Sequence, residues 1–377
     1  MRTSSHVLFR GLLMLVCAGI VLNWSRAEAS PQGAARFASD ASSIFLPIIE
    51  KERAQKGIWI TSEELANLPT SGPGWQKLKA AAEANPGNPD LSDRSESVNT
   101  IVLAKALVYA RTGESKYRNE VGSALHAITF GSMSNQDALA LARNLTAYVI
   151  AADLIELPVF DPALDAPFRD KLVELLDKNV DGDTLRNIHE RRANNWGTNA
   201  GASRAAIAVY LGDRAELERT AQVFKGFLGD RGAYAGFNFD DDLSDLSWQC
   251  DPMNPVPVNP AGCSRDGHDI GGALPDEMRR GGAFQWPPLE TNYPWGGLQG
   301  AVVQAHILHR AGFPAWQWED NALLRAVQFL YDIGWPADGD DDWQIWLINK
   351  VYGTDFPTRL PGQTGKNMGW TEWTHAP

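Results

Sequence analysis

The amino-acid sequence predicts an all-α protein: an (α/α) toroid, an incomplete barrel of helical hairpins, interrupted by one long irregular region. Three observations carry that expectation. From about residue 60 onward, apolar residues recur at helical spacing in one stretch after another, with short turns between them. Alternation of period two, the mark of a half-buried strand, is scarce. Several stretches are rich in small residues on more than one side, which suits helices packed against neighbours in two layers.

The elements follow in chain order. "TSEELANL" carries a capping box, Thr61 with Glu64 three positions on, and leads toward "GWQKLKAAAEA". "SVNTIVLAKALVYART" is apolar at Val98, Ile101, Leu103, Ala106, Leu107 and Tyr109, and ends at "TGE". "YRNEVGSALHAI", "DALALARNLTAYVIAADLI" and "APFRDKLVELLDKN" continue the series. "GASRAAIAVYLG" is introduced by "NNWGTNA", where an asparagine suits a cap because its side-chain oxygen accepts from free N–H groups of the first turn. A second asparagine, Trp196, Gly197 and Asn199 make a polar rim larger than one cap requires. After "RAELERTAQVFKGFLG", residues 230–295 are rich in Gly, Pro, Asp and aromatics, and a loop of that length is usually functional. "WGGLQGAVVQAHILHRAG" and "NALLRAVQFLYDIG" return to helical period. No exact repeat is present, although pairs of helices joined by short turns recur.

Of 377 residues, 44% are apolar, the balance of a globular chain with a full core. Arg2 and Arg10 precede the run "LLMLVCAGIVL", and "AEAS" offers a cleavage point after Ala29, so residues 1–29 read as a secretory signal peptide and 30–377 as a single catalytic domain. The apolar run is too short for a membrane span, and "MLV" before Cys17 lacks the small residue expected beside a lipidated cysteine. A secreted or periplasmic protein follows, with no membrane partner once the signal is removed. Cys250 and Cys263 are then the remaining thiols and are expected to form a disulfide across "DPMNPVPVNPAG". The formal charge of −12 excludes nucleic acid as a partner on charge, and requires any anionic substrate to be held by a local basic cluster.

Chemistry-bearing residues concentrate in "DGHDIGGALPDEMRRGGAFQWPPLETNYPWGGLQG". It gathers His268, Glu277, Arg279, Arg280 and Tyr293, all groups able to move protons or bind anions. A structural ion pair between Glu277 and one of the two arginines would leave the other free to meet an anion. The acidic runs "DGDDDW" at 338–343 and "NFDDDLSD" at 238–245 lack the spacing of a calcium loop and read as solvated turns, so no metal and no cofactor is expected.

"NNWGTNAG", "LPDEMRRGG" and "YPWGGLQGAVVQAHILHRAGF" together resemble the alginate lyases and related polyuronate lyases. The resemblance implies an (α/α) toroid that cleaves an acidic polysaccharide by β-elimination. It implies Asn195, with Asn194, aiming amide donors at the uronate carboxylate, and Arg280 or Arg279 supplying positive charge. Tyr293 stands at the position of the family's catalytic tyrosine, which protonates the leaving glycosidic oxygen and in some members also takes the C5 proton. Two departures stand out. The histidine that follows the asparagines in familiar members is replaced by Trp196, so His268 is the expected base, with His189 as the substitute. The segment "GGAFQWPPLETN" also separates Arg280 from Tyr293 more widely than the family pattern does. Trp196, Trp248, Trp286, Trp295 and Trp370 are candidate sugar platforms, two or three of them facing substrate. Lys366 and Asn367 are either subsite groups or part of a packed strap.

The sequence therefore points to a lyase acting on a polyuronate, alginate first, with glucuronan as the near alternative. A glycoside hydrolase would need two carboxyl groups flanking the scissile bond, drawn from Asp276, Glu277 and Glu290. A non-catalytic sugar-binding protein would keep the aromatics and be indifferent to loss of Tyr293.

Overall fold

A computed structural model describes residues 57–95, 97–239 and 245–376. The signal peptide expected at 1–29, Cys17 and most of the acidic run at 238–245 lie outside these residues. Among the described residues the chain is all-α: fifteen α-helices and a single pair of two-residue strands.

Helices α1 (Ser62–Ala66), α2 (Pro73–Glu83), α3 (Val98–Thr112), α4 (Ser115–Phe130) and α5 (Ala138–Leu154) open the series. The Thr61 capping box is formed, its hydroxyl accepting from Glu64 N while the Glu64 carboxylate accepts from Thr61 N. Next come α6 (Leu157–Phe160), α7 (Pro162–Asp177), α8 (Leu185–Arg191), α9 (Asn195–Leu211) and α10 (Arg214–Phe227). The strands β1 (Ser264–Arg265) and β2 (His268–Asp269) pair antiparallel, with Arg265 opposite His268. Helices α11 (Pro275–Met278), α12 (Tyr293–Arg310), α13 (Trp318–Asp332), α14 (Trp343–Tyr352) and α15 (Thr371–Thr374) complete the chain, with a 3₁₀ turn at Arg279–Gly281 after α11. The five helices the sequence pattern did not announce, α6, α8, α11, α14 and α15, are short, none longer than the 10 residues of α14.

Burial sorts the helices into two kinds. In α9 every residue is buried except Trp196, Val209 and Leu211, which are half-buried, and in α5 every residue is buried except Arg143 and Asp153. The helices that follow in sequence, such as α10, expose one face and bury Leu217, Val223, Phe224 and Phe227 on the other. Such alternation explains the small-residue stretches: a helix enclosed on all sides needs Ala and Gly where its neighbours approach. The contact of α9 with α12 is the closest case, since a Cβ on Gly300 would collide with the backbone of Thr198 and Asn199. Helix α9 also packs against α5, α8 and α10, which fixes its N-terminus among them.

The irregular region after α10 is tied down by specific groups. Cys250 and Cys263 form the expected disulfide, with Cα atoms 5.6 Å apart. The buried Asn259 amide donates to the carbonyls of Trp248 at 2.9 Å and Ile270 at 3.2 Å, bracing both sides of that loop.

Candidate active site

The mouth of α9 meets α11 through two amide–carboxylate pairs. Asn194 is the N-cap: its side-chain oxygen accepts from Trp196 N at 3.1 Å, and its amide donates to Asp276 Oδ2 at 2.7 Å. Asn195 donates its side-chain amide to Glu277 Oε1 at 3.0 Å, and its backbone N–H donates to the same oxygen. The helix N-terminus is thus already occupied by an internal carboxyl group, whose oxygen answers a free backbone N–H of the first turn. Glu277 is 1% exposed. Burial pushes its carboxyl up to about 8, Asp276 adds to that shift, and the Asn195 hydrogen bonds and Arg280 oppose it. At neutral pH Glu277 therefore carries its proton.

Arg279 is engaged in a buried ion pair with Asp276, at 2.7 Å. The expected pairing of an arginine with Glu277 is accordingly corrected: Asp276 takes Arg279, and Glu277 takes Asn195. Arg280 is exposed and lies over the Tyr293 ring, 4.7 Å from its centroid. Burial alone would favour the neutral guanidine, but the Tyr293 hydrogen bond, with the acidic groups nearby, outweighs it and raises the Arg280 pKa. Tyr293 opens α12 and is 43% exposed. Gly297, one turn further along the same face, abuts Glu277: a Cβ there would stand 3.1 Å from Oε1. Tyr293, Arg280, Glu277 and Asn195 therefore form one cluster.

Neither histidine joins it. His189 is 3% exposed, 3.1 Å from the Gln304 amide and 3.4 Å from Arg204, and burial, with the Arg204 charge, holds its pKa well below the usual value. Its expected role as a substrate-facing base is corrected by that enclosure behind α9. His268 is half-buried on β2 and stacks on Trp286, centroids 4.3 Å apart and planes 11° apart. No hydrogen bond, ion pair or ring contact joins it to Asn195, Glu277, Arg280 or Tyr293.

The tryptophans divide by burial. Trp295, Trp248 and Trp370 are core residues that donate to the carbonyls of Trp335, Gly282 and Thr100, at 3.0, 3.1 and 2.9 Å, so they offer no face to a sugar. Trp196 is half-buried between Arg192, 4.8 Å from its ring, and Arg94, 5.6 Å away, and so is held by two cations. Trp286 is 39% exposed and lines a pocket of about 560 Å³ together with Asp269, Asp320, Arg325 and Asp332, away from the Asn195 cluster.

Asn367 is fully buried and donates to Asn199 Oδ1 at 3.2 Å, while Lys366 N donates to Gln299 Oε1 at 3.2 Å, so the tail is a packed strap with the Lys366 amine on its exposed side. The aspartates at 338–342 are taken by protein groups: Asp338 by Arg359, Asp340 by Lys366, Asp341 by Gln299 and Asp342 by Gln363 N. Among the described residues no group of three or more His, Cys, Asp or Glu is arranged around a common point that could hold a metal.

Sequence reasoning missed Arg143. It sits on α5, whose neighbouring residues Ala142 and Thr146 are bonded to Ser203 of α9 at 2.8 Å. It is half-buried, and burial, with the charge of Arg94, lowers its pKa. No motif marked it, because its stretch reads as an interior helix.

A phenol, guanidinium groups and fixed amides are thus gathered at the starts of two buried helices, groups of the kind that bind anions and move protons. The family comparison narrows this: residues 49–231 match the family model described as alginate lyase. The chain is alginate lyase-like, and the protein is a polysaccharide lyase, with an acidic polysaccharide as its substrate. The match contains Arg143, His189, Asn194, Asn195 and Trp196 and ends before Glu277, Arg280 and Tyr293. Among curated proteins no relative matches the chain.

Proposed function

We propose that the protein is an exported lyase that depolymerises a polyuronate, alginate first, by β-elimination on a ring of helical hairpins. The observation that carries this reading is the single cluster of Tyr293, Arg280, Glu277 and Asn195, with Tyr293 open to solvent. The C5 proton of a uronate is barely acidic while its carboxylate is fully charged, so that charge must first be answered. Arg280 and the second N–H of the Asn195 amide are the donors for it, and their hydrogen bonds strengthen as negative charge spreads toward an enolate. Asn194 and Arg279 hold the Asp276–Glu277 turn that aims them.

Tyr293 is the proton-transfer group. Its hydroxyl proton passes to O4 as the C4–O4 bond breaks, and the same oxygen takes the C5 proton as the C4–C5 double bond forms, so Tyr293 ends with one proton as it began. Giving both tasks to Tyr293 follows from the enclosure of His189 and the separate stack of His268. A hydrolase is disfavoured because Asp276 and Glu277 are buried neighbours on one turn, bonded to the two asparagines, rather than two carboxyls on opposite sides of a cleft. Export is supported by the Cys250–Cys263 disulfide, a bond that persists in oxidising compartments.

Glucuronan presents the same C5 chemistry and is the alternative substrate. Ultraviolet absorbance of the unsaturated uronate, followed with polymannuronate, polyguluronate and glucuronan in turn, tests reaction and substrate together. A hydrolase would release reducing ends with no such absorbance.

A further inference from the structure

The pocket of about 560 Å³ beside Trp286 is of the size usual for ligand sites, roughly 300–1,000 Å³. None of Tyr293, Arg280, Glu277 and Asn195 lines it. Two pieces of the fold make its walls. One is the disulfide-closed loop, which contributes Ala261 and Gly262 and is braced by Asn259. The other is α13, where Leu324, Gln328 and Asp332 recur at a spacing of four and so share one helix face. Arg325 ties the walls together, donating to Asn259 O at 3.4 Å and to the carbonyls of Glu319 and Asp320 at 3.0 and 3.1 Å. His268 stacks on one face of the Trp286 indole, so what solvent reaches of that ring is its opposite face and its rim. The charged groups around it are mostly acceptors. Asp269 takes Gly271 N at 2.8 Å and Asp332 takes the Gln328 amide at 2.7 Å, each through Oδ1, which leaves each a second carboxylate oxygen, and Asp320 stands exposed at the edge. Arg325, the one cation among the described residues lining the pocket, is spent on backbone carbonyls.

We propose that this pocket is a second carbohydrate site, and that it takes an uncharged sugar rather than a uronate. The polarised C–H groups on the flat face of a pyranose fit the negative face of an indole, and the sugar hydroxyls donate to the aspartates. A uronate carboxylate would be set among three like charges with no free cation to answer it, a juxtaposition that rejects the ligand. A metal ion fits less well, because among the described residues no three His, Cys, Asp or Glu side chains surround a common point. An apolar peptide segment would bury the aspartates without partners. The site holds the enzyme to an uncharged glycan lying with the acidic polymer, and it does so whether or not Tyr293 performs elimination.

The test is titration calorimetry on the mature protein with cellohexaose and xylohexaose, whose β-1,4-linked rings carry their hydroxyls equatorially and leave both faces to C–H groups. An oligomannuronate is the acidic counterpart. At least one of the two uncharged hexamers is expected to bind. Trp286→Ala is expected to weaken that binding roughly 10-fold, the scale of a lost stacking face, and Trp286→Phe to recover part of it. Asp320→Ala and Asp332→Ala, both at exposed positions, are expected to weaken it several fold, which keeps the test in force should Trp286→Ala lower the Tm too far to be measured. Tyr293→Phe and a saturating concentration of oligomannuronate are expected to leave hexamer affinity unchanged. Binding of neither hexamer would overturn the inference, as would affinity indifferent to Trp286 and to both aspartates. Displacement by oligomannuronate would overturn it too, since the pocket would then belong to the uronate cleft. If a hexamer binds through Trp286 and no elimination occurs with any polymer, the uncharged-sugar site stands and the lyase assignment of Tyr293 falls.

Discussion

Replacing Glu277 by Gln is expected to remove a large share of the alkaline instability of this fold, the buried Asp341 and Glu372 carboxyls supplying more of it. The buried carboxyl keeps its proton up to about 8, whereas the same group in an unfolded chain releases it near 4.5. Between those two values the folded protein holds one proton more than the unfolded protein, so unfolding free energy falls as pH rises through the window. At about 1.4 kcal/mol per pKa unit, the interval from 4.5 to 8 amounts to about 5 kcal/mol. That is a large part of the roughly 5–15 kcal/mol that holds a domain folded. Gln preserves at Oε1 an acceptor for the Asn195 backbone N–H and side-chain amide, and loses only the longer contact of that amide to Oε2, at 3.4 Å. Urea unfolding of the wild type and Glu277→Gln from pH 5 to 9 is the assay. The two curves should lie close at pH 5 and diverge as pH rises, with the variant the more stable by several kcal/mol at pH 9. Curves that stay parallel across the range would refute the claim that Glu277 is a buried, protonated acid.

Other consequences can be measured on the same protein. Tyr293→Phe should lower kcat at least about 100-fold, the scale of lost general acid–base catalysis, while His268→Ala stays within a few fold; the reverse ranking would return the base to His268. Burial holds His306 down to about 3, with its contact to Trp59 O opposing and Arg310 assisting, so it is neutral in the fold. The unfolded chain therefore binds a proton that the fold does not, and stability is expected to fall as pH drops from 6.5 toward 3, an acid limb that His306→Gln should flatten in denaturant titrations. Cys250→Ser with Cys263→Ser opens a loop with a sequence separation of 13. It should cost about 3 kcal/mol, measured by urea unfolding against the disulfide-intact wild type, while the reduced wild type should match the variant.

What the sequence disclosed was mostly local. The Thr61 box, the asparagine cap at 194 and the runs that became α3, α4, α5 and α12 need only neighbouring residues to be recognised. The disulfide was legible because reading residues 1–29 as a signal peptide leaves two thiols, and the loop between them is short. The site was legible by residue type and only partly by partner. That Asn195 serves Glu277, and Asp276 rather than Glu277 takes Arg279, depends on α9 and α11 meeting across more than 80 residues. Depth was invisible as well: Trp295 and Trp286 stand alike in the sequence, yet one is core and the other 39% exposed. His189 appeared reachable because "NIHERRANNW" reads as polar, whereas the approach of α12 to α9 closes over it through Gln304. Arg143 was hidden for the opposite reason, a single charge in a helix that every pattern marks as interior.

The central claim is that the Tyr293 cluster performs elimination on a uronate. The most direct measurement is ultraviolet absorbance of the mature protein mixed with polymannuronate, with Tyr293→Phe alongside. The account predicts a steady rise from the conjugated C4–C5 double bond with the wild type and almost none with the variant. Release of reducing ends without that absorbance, or an equal rise from both proteins, would contradict it.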